Sequence, residues 1–491
     1  MKITKEHLLL ALLFLITLGV RLFFVFQAQA FDYDAYYTLR QAEHIRETGF
    51  PILDDPLSYS GRTFLTLPLF YYVLAGFSFI IPLELAAKIL PSLFFAALVI
   101  VIFLIAKHVT KNKTAALISA LFAGFVPIIL TTVNQVSVYS LGLLLIFLLS
   151  YTFLRIEEKG FTLLSIILTI LLLLTHTLVF LLLIAFFVYF VILILEKQKV
   201  SSREAETALF LFFLALWFNI LLYKKAFFLH GISFIWQNIP APLLSSYFTE
   251  ISFFGVIYAV GVLPLLLGVY AIYNASFKTK NRAAMLYTCF ALVSFIMLWL
   301  KLIPFRAGLL LLSLNLIILS ASSIKTFIVR LTKTKAPGFA SIFIGLIILL
   351  FVLTTAPSFI STPKSEVPPE ADLAALKWMR NNTDANDVVL GRVEEGFLIN
   401  YLAERKNVAD SNFLFIEEIN SRYEDINKLF TLRLKSEAVR LINKYNIDYI
   451  FLSTKSMKEY NVSRLYYADK ECFKVVYDKD TYVYHFLGCE I

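Results

Sequence analysis

From residue 8 to residue 353 the chain alternates long apolar runs with short polar interruptions. The runs at 8–26, 89–106, 115–131, 139–154, 207–222, 253–273, 283–300, 307–320 and 340–353 each approach the ~20 residues with which a helix crosses about 30 Å of hydrocarbon. The run at 161–195 is longer, roughly 50 Å at the helical rise, and predicts two helices turning at Thr175-His176-Thr177. The run at 64–81 is interrupted by Pro68 and Gly76 and closed by Pro82, which predicts an in-plane or re-entrant helix. After Ser361 the material changes, with Pro363, Pro368 and Pro369 ending the membrane run and charge becoming frequent. There 371–380 has helical spacing, 387–390, 407–409 and 449–452 read as strands, and 473–477 with 482–486 read as a hairpin turning at Lys479-Asp480.

Composition sharpens this picture. The chain is 59% hydrophobic and 16% charged, where soluble domains average about 25% charged, so a soluble enzyme is excluded. No repeat or low-complexity tract points to a solenoid or a disordered tail. No small-residue cleavage site follows the first apolar run, so it is expected to be retained. The net charge of +9 raises the question of a nucleic-acid partner, but the basic residues cluster between spans. The clusters are Lys2 and Lys5; Lys107, Lys111 and Lys113; Arg155 and Lys159; Lys197, Lys199 and Arg203; Lys278, Lys280 and Arg282; and Lys325, Arg330, Lys333 and Lys335. The positive-inside rule makes all of them cytoplasmic and leaves no charge for nucleic acid to explain.

Every stretch between two cytoplasmic clusters must hold an even number of crossings, so one of the three apolar segments between Lys5 and Lys107 does not cross; 64–81 is the one. The result is a polytopic α-helical membrane protein of about eleven transmembrane helices, with the N-terminus cytoplasmic and a C-terminal extracytoplasmic mixed α/β domain. The expected boundaries are 1–357 for the transmembrane domain, with a large first external loop at 27–85, and 358–491 for the soluble domain. Cys472 and Cys489 flank the terminal hairpin and either pair or remain thiols; Cys289 lies in a span.

No phosphate loop, dinucleotide glycine fingerprint, HExxH or CxxC is present, so nucleotide hydrolysis and zinc catalysis are not expected. Polar candidates gather at the outer edge. Asp32 and Asp34 follow the first span; carboxylates there either hold a divalent cation and take a proton from a nucleophile, or mark the membrane boundary. His176 is an ionisable group in an apolar hairpin, functional or merely a hydrogen-bonded turn residue. Lys224 and Lys225 either steer an anionic lipid or anchor a helix end.

The run Asp34 to Arg40, then Gly49, Asp54-Asp55, Pro56 and Tyr59-Ser60-Gly61-Arg62, resembles the first external loop of the glycosyltransferase C superfamily, in particular the oligosaccharyltransferase catalytic-subunit family. Residues 106–114 are similar to that family's basic cytoplasmic turn, and Ala375 to Arg380, Asn382-Thr383, Val388 to Leu390 and Tyr401 to Asp410 track the segment around its WWDYG motif. At the motif itself stands Arg392-Val393-Glu394-Glu395-Gly396, without the residues that receive an acceptor sequon. The resemblance implies a GT-C-like fold and a catalytic role for Asp34, with Asp32 and Glu250 as further possible ligands of a divalent cation, Mg or Mn. Glu250 sits in a segment similar to the family's S/T-x-x-E motif, with Tyr247 at its first position. Where the family carries an acidic pair, this chain has Asn134-Gln135, which weakens cation binding; these amides are candidates for sugar or acceptor contact or are capping loop residues. His176, Glu394 and Glu395 are further candidates for sugar or acceptor contact. Arg306, after Pro304-Phe305, resembles the family arginine on the lipid-carrier phosphate; its other reading is an interfacial snorkelling side chain.

The function implied is transfer of a sugar or oligosaccharide from a polyprenyl-phosphate or polyprenyl-diphosphate carrier to a glycan, lipid or protein acceptor on the outer face, with inversion at the anomeric carbon. The partners are thus membrane lipid, polyprenyl-linked donor and acceptor, with no nucleic acid. Two alternatives belong to other classes: a non-catalytic relative that binds lipid-linked glycan or a partner enzyme, and a transporter. A transporter places its polar residues at the midplane of repeated, broken helices, a pattern the sequence lacks.

Overall fold

The computed structural model describes residues 5–249, 251–334, 338–361 and 367–489. Helices occupy every predicted apolar run. In chain order they are α1 (Lys5–Gln27), α2 (Ala35–Thr48), α3 (Leu69–Ser78), α4 (Leu83–Thr110), α5 (Lys113–Phe125), α6 (Pro127–Leu130), α7 (Tyr139–Leu154), α8 (Phe161–Leu173), α9 (Val179–Leu195), α10 (Ser202–His230), α11 (Ala241–Ser246), α12 (Phe253–Val260), α13 (Val262–Asn274), α14 (Arg282–Trp299), α15 (Phe305–Thr332) and α16 (Phe339–Ser361). Among the described residues six helices are long and apolar enough to cross a membrane, or seven if the bent α12–α13 pair is one span. At 10 residues, α3 is only about 15 Å long and too short to cross.

Three local features depart from the hydropathy pattern, each for a backbone reason. The span expected at 115–131 stops at Phe125, because Pro127 drives Val126 into an extended conformation with φ −59° and ψ 141°. The span expected at 253–273 is two helices bent by 82°. Gly261 at the break has φ +94°, open to glycine without strain, and a Cβ there would lie 2.8 Å from the Val126 side chain. The outer loop expected to begin at Tyr223 begins at Gly231 instead, because 223–230 contains no helix breaker.

Polar contacts sort the two ends of the bundle. Glu6 pairs with both Lys107 and Lys113. Asn281 donates to the Val109 carbonyl at 3.2 Å, Arg282 pairs with Glu204 at 2.5 Å, Lys280 with Glu196, and Arg203 with Glu157 at 3.7 Å. Basic clusters far apart in sequence therefore share one end. At the other end lie α2, α3, the α8–α9 turn, the segment after α10 and a sheet-containing C-terminal domain.

That domain has a five-stranded sheet in the order β4-β3-β5-β7-β6. Its strands are β3 (Val388–Leu390), β4 (Lys406–Asn407), β5 (Tyr449–Leu452), β6 (Phe473–Asp478) and β7 (Tyr482–Phe486); a small pair, β1 (Asp54–Asp55) and β2 (Arg62–Thr63), precedes them in the first loop. β3 pairs in parallel with β4 and β5, while β7 runs antiparallel to β5 and β6. Around the sheet lie α17 (Glu370–Asn382), α18 (Gly396–Leu398), α19 (Ile419–Thr431), α20 (Lys435–Lys444) and α21 (Thr454–Tyr460). Cys472 and Cys489 are joined, with Cα atoms 5.5 Å apart. Closing a loop of that length stabilises a domain by roughly 3 kcal/mol.

Candidate functional site

Asp34 stands at the N-terminus of α2, exposed, and makes no capping hydrogen bond. Capping falls to Asp32, whose carboxylate accepts the Ala35 amide at 3.1 Å. The Asp32 amide in turn donates to the Asn134 carbonyl at 3.2 Å, tying the two loops together. Arg40 takes no part at Asp34: its guanidinium forms two bonds, of 2.6 and 2.7 Å, with buried Asp55 and holds the β1–β2 pair on α2.

The C-terminal domain reaches Asp34 through Ser411, whose hydroxyl donates to the carboxylate at 2.7 Å. Ser411 is held there by a lock between the first loop and the segment after β4. Arg62 lies over the rings of Tyr59 and Phe64 and pairs at 3.0 Å with Asp410, which is fully buried. Ser58 donates a second hydrogen bond to Asp410, and the Tyr59 amide donates to Asn407 Oδ1 at 2.7 Å. On the opposite side, Gly396 packs against the same segment so closely that a Cβ would come within 2.1 Å of the Ala409 carbonyl. The segment after α10 closes the flank, with Asn238 donating to the Phe413 and Ile416 carbonyls at 3.0 and 2.7 Å and His230 bonded to that of Leu414 at 2.8 Å.

These elements surround a cavity of about 180 Å³. Its wall comes from Tyr37 on α2, Thr66 and Tyr71 around α3, Tyr139 at the start of α7, Thr175, His176 and Thr177 in the α8–α9 turn, Tyr223 and Gln237, and Asn412 beside Ser411. Tyr139 lies within electrostatic range of Asp34, Tyr247 and Tyr223. The His176 ring packs on Tyr139 with centroids 4.4 Å apart, and its Nδ1 accepts the Leu178 amide at 3.1 Å. That bond fixes the neutral tautomer with hydrogen on Nε2, a donor in an otherwise aromatic and hydroxyl wall.

Arg306 is half-buried in the first turn of α15. The strand of chain before it is pinned to the segment after α10. The Tyr247 hydroxyl donates to the Ile303 carbonyl, Lys301 Nζ to that of Leu244 at 2.6 Å, and Phe305 packs on Tyr247 with ring centroids 5.5 Å apart. Asp34 and Arg306 thus belong to the same end of the bundle, linked through Ser411, the 413–420 segment and residues 236–247. Glu250 lies outside the described residues.

The remaining sequence candidates are placed differently. Asn134 is buried and its Oδ1 has no hydrogen-bond partner among the described residues, whereas Gln135 is half-exposed. Glu394 pairs with Arg392 at 2.8 Å and does not line the cavity. Glu395 is fully buried and accepts the Ser453 hydroxyl at 2.5 Å and the Arg392 amide at 3.0 Å. Burial outweighs the field of Arg392 and pushes the Glu395 carboxyl up to about 7. A folded-state value above the unfolded one means the neutral form is the one folding favours, so its contribution is complete below about pH 4.5 and disappears as pH rises through 7. Glu395→Gln removes that contribution: stability of the variant is expected to fall less between pH 5 and 8 than that of the wild type, by on the order of 3 kcal/mol. Equal pH slopes for the two proteins would contradict this placement.

The donor set was tested for a divalent cation. Among the described residues no three His, Cys, Asp or Glu side chains come together as ligands. Asp32 is engaged as a cap, and the neighbouring loop offers neutral amides, whereas Mg, Mn or Ca sites assemble several carboxylate and other oxygen ligands. The described residues do not fit a tightly held cation.

Sequence reasoning missed Ser411, Tyr139, Tyr223, the Arg62–Asp410 lock and Arg21. Arg21 carried a signal of its own, a charge inside an apolar span. It is fully buried over Phe95 and donates to the Ile129 carbonyl at 2.9 Å and to Thr132 at 3.2 and 3.3 Å, bracing the turn that leads to Asn134.

No protein-family model matches the chain, and no curated protein matches its sequence. Solved structures match its fold. An oligosaccharyltransferase, AglB from Archaeoglobus fulgidus, in complex with an inhibitory peptide and a dolichol-phosphate, has a TM-score of 0.68 at 15% identity over 92% of this chain and 70% of its own. ArnT from Cupriavidus metallidurans, bound to undecaprenyl phosphate, has a TM-score of 0.56 at 11% identity over 96% of this chain and 97% of its own. The arabinofuranosyltransferase AftD from Mycobacteria has a TM-score of 0.55 at 13% identity over 89% of this chain and 36% of its own. A further structure of the Archaeoglobus enzyme, with a TM-score of 0.64, holds Zn and sulfate. The chain shares its fold with these structures.

Proposed function

We propose that this chain is a multi-pass membrane glycosyltransferase that moves a sugar from a polyprenyl-phosphate or polyprenyl-diphosphate carrier to a glycan, lipid or protein acceptor on the outer face. The reading places about eleven crossings in the bilayer, the basic end in the cytoplasm and residues 358–491 outside. What carries it is the meeting, at the end away from the basic clusters, of an exposed carboxylate held by a hydroxyl with a cavity of aromatic rings and neutral hydrogen-bonding groups. The fold shared with enzymes whose structures contain dolichol-phosphate and undecaprenyl phosphate supplies the class of donor.

In this reading the sugar occupies the cavity. Its volume of about 180 Å³ lies below the roughly 300–1,000 Å³ of pockets that take drug-sized ligands, which suits one sugar ring better than an oligosaccharide. His176 Nε2–H and the tyrosine hydroxyls bond the sugar hydroxyls while the rings of Tyr37, Tyr71 and Tyr139 cover its apolar faces. Asp34 orients the acceptor and takes its proton as the acceptor attacks the anomeric carbon. Arg306 receives the departing phosphate, helped by the amides of the α15 N-terminus, and inversion follows from a single displacement.

The test is to reconstitute the purified protein with a panel of undecaprenyl- and dolichyl-phosphoryl hexoses and measure release of polyprenyl phosphate. Acceptor-dependent release from at least one donor is expected; tight donor binding without release from any would establish instead a non-catalytic binder, the reading that Asn134-Gln135 in place of acids favours.

A further inference from the structure

We infer that the acceptor presents a hydroxyl group, and that Ser411 occupies its place at Asp34 in the resting enzyme. The inference rests on the functional reading above and names the substrate class of that site. The hydrogen bond from Ser411 Oγ to Asp34 Oδ1, 2.7 Å long, is the geometry an attacking hydroxyl needs with its base. Asp34 is exposed and has no capping duty in α2, so this contact is not required to build the helix. The contact is nevertheless imposed by a buried apparatus on both sides of Ser411: the Arg62–Asp410 pair before it and the bond from Arg62 to the Asn412 carbonyl after it. The nearby carboxylate of Glu395 is closed onto Ser453 and the Arg392 amide, and so is not offered to an acceptor. A hydroxyl also suits a carboxylate base, because an alcohol needs only proton removal as it attacks, whereas an amide nitrogen has its lone pair delocalised into the carbonyl.

The step balances. The acceptor oxygen bonds to the anomeric carbon, its proton passes to Asp34, and the bond from that carbon to the phosphate oxygen breaks with its electron pair leaving on polyprenyl phosphate. Ser411 must first yield Asp34, so its hydroxyl competes with the acceptor and not with the donor.

The experiment uses the full chain in proteoliposomes with the polyprenyl-phosphoryl hexose panel and three acceptor probes: an octyl glycoside with free sugar hydroxyls, a Ser/Thr peptide and an Asn-X-Thr peptide whose Thr is blocked by methylation. Transfer to a hydroxyl probe and none to the Asn peptide is expected. Ser411→Ala is expected to raise the rate at limiting hydroxyl acceptor by about threefold to tenfold, the equivalent of one lost competing hydrogen bond. Transfer to the Asn peptide, or a Ser411→Ala variant that is no faster than wild type at limiting acceptor, overturns the inference while leaving the transferase reading standing. Absence of polyprenyl phosphate release with every donor and acceptor overturns both.

Discussion

Replacing Asp34 by Asn is expected to lower sugar transfer by about 10²- to 10⁴-fold, the usual contribution of a general base, while leaving the protein folded. The two halves of this expectation have separate grounds. Asn cannot take the acceptor's proton, so the chemical step loses its base. It still offers an oxygen to Ser411, and Asp32 rather than Asp34 caps α2, so the helix keeps its cap. The deficit should therefore appear in kcat, with donor affinity and the thermal unfolding midpoint near wild type. A purified Asp34→Asn protein, or the harsher Asp34→Ala, that transfers sugar at the wild-type rate would eliminate Asp34 as the base.

Arg306→Ala is expected to cost about 10²- to 10³-fold, the range for removing one preorganised group at developing charge. A cation in the first turn of a helix faces the positive end of the macrodipole, which disfavours it by about 0.3–1 kcal/mol on helical grounds alone. With the amides of the same turn it forms a concentrated positive site suited to an anion. The preceding chain is held by Lys301, Tyr247 and Phe305, so the guanidinium is aimed by fixed structure and needs little reorganisation. Arg306→Lys keeps the charge but loses the two-pronged geometry and should fall between wild type and alanine. Measured against a fixed acceptor, the loss should sit mainly in the rate of carrier release. An Arg306→Ala protein with wild-type turnover would leave the departing phosphate without its proposed partner and assign this side chain to the interface.

Much of this protein was legible before folding. Hydropathy located every long helix, because an apolar run in a bilayer can satisfy its backbone only as helix. The terminal elements were equally clear, with 449–452 and 482–486 appearing as strands at those residues. Helix ends and breaks were less visible, since Pro127, Gly261 and Gly231 act through backbone geometry that a hydrophobicity scale does not register. In the site, Asp34 was marked by a motif, but its partner Ser411 lies 377 positions away in an unremarkable polar triplet.

By itself, then, the sequence determined the membrane class, the clustering of basic residues between spans, the change of material after Ser361 and the carboxylate at the mouth of the first span, all properties written in local composition. The tertiary structure alone decided which hydroxyl meets that carboxylate, that Glu395 is sealed in a core and not offered to a ligand, and that Arg21 and Arg62 brace loops from within. Those outcomes depend on contacts between residues a hundred or more positions apart, or on burial, and neither is encoded in any short window of the chain.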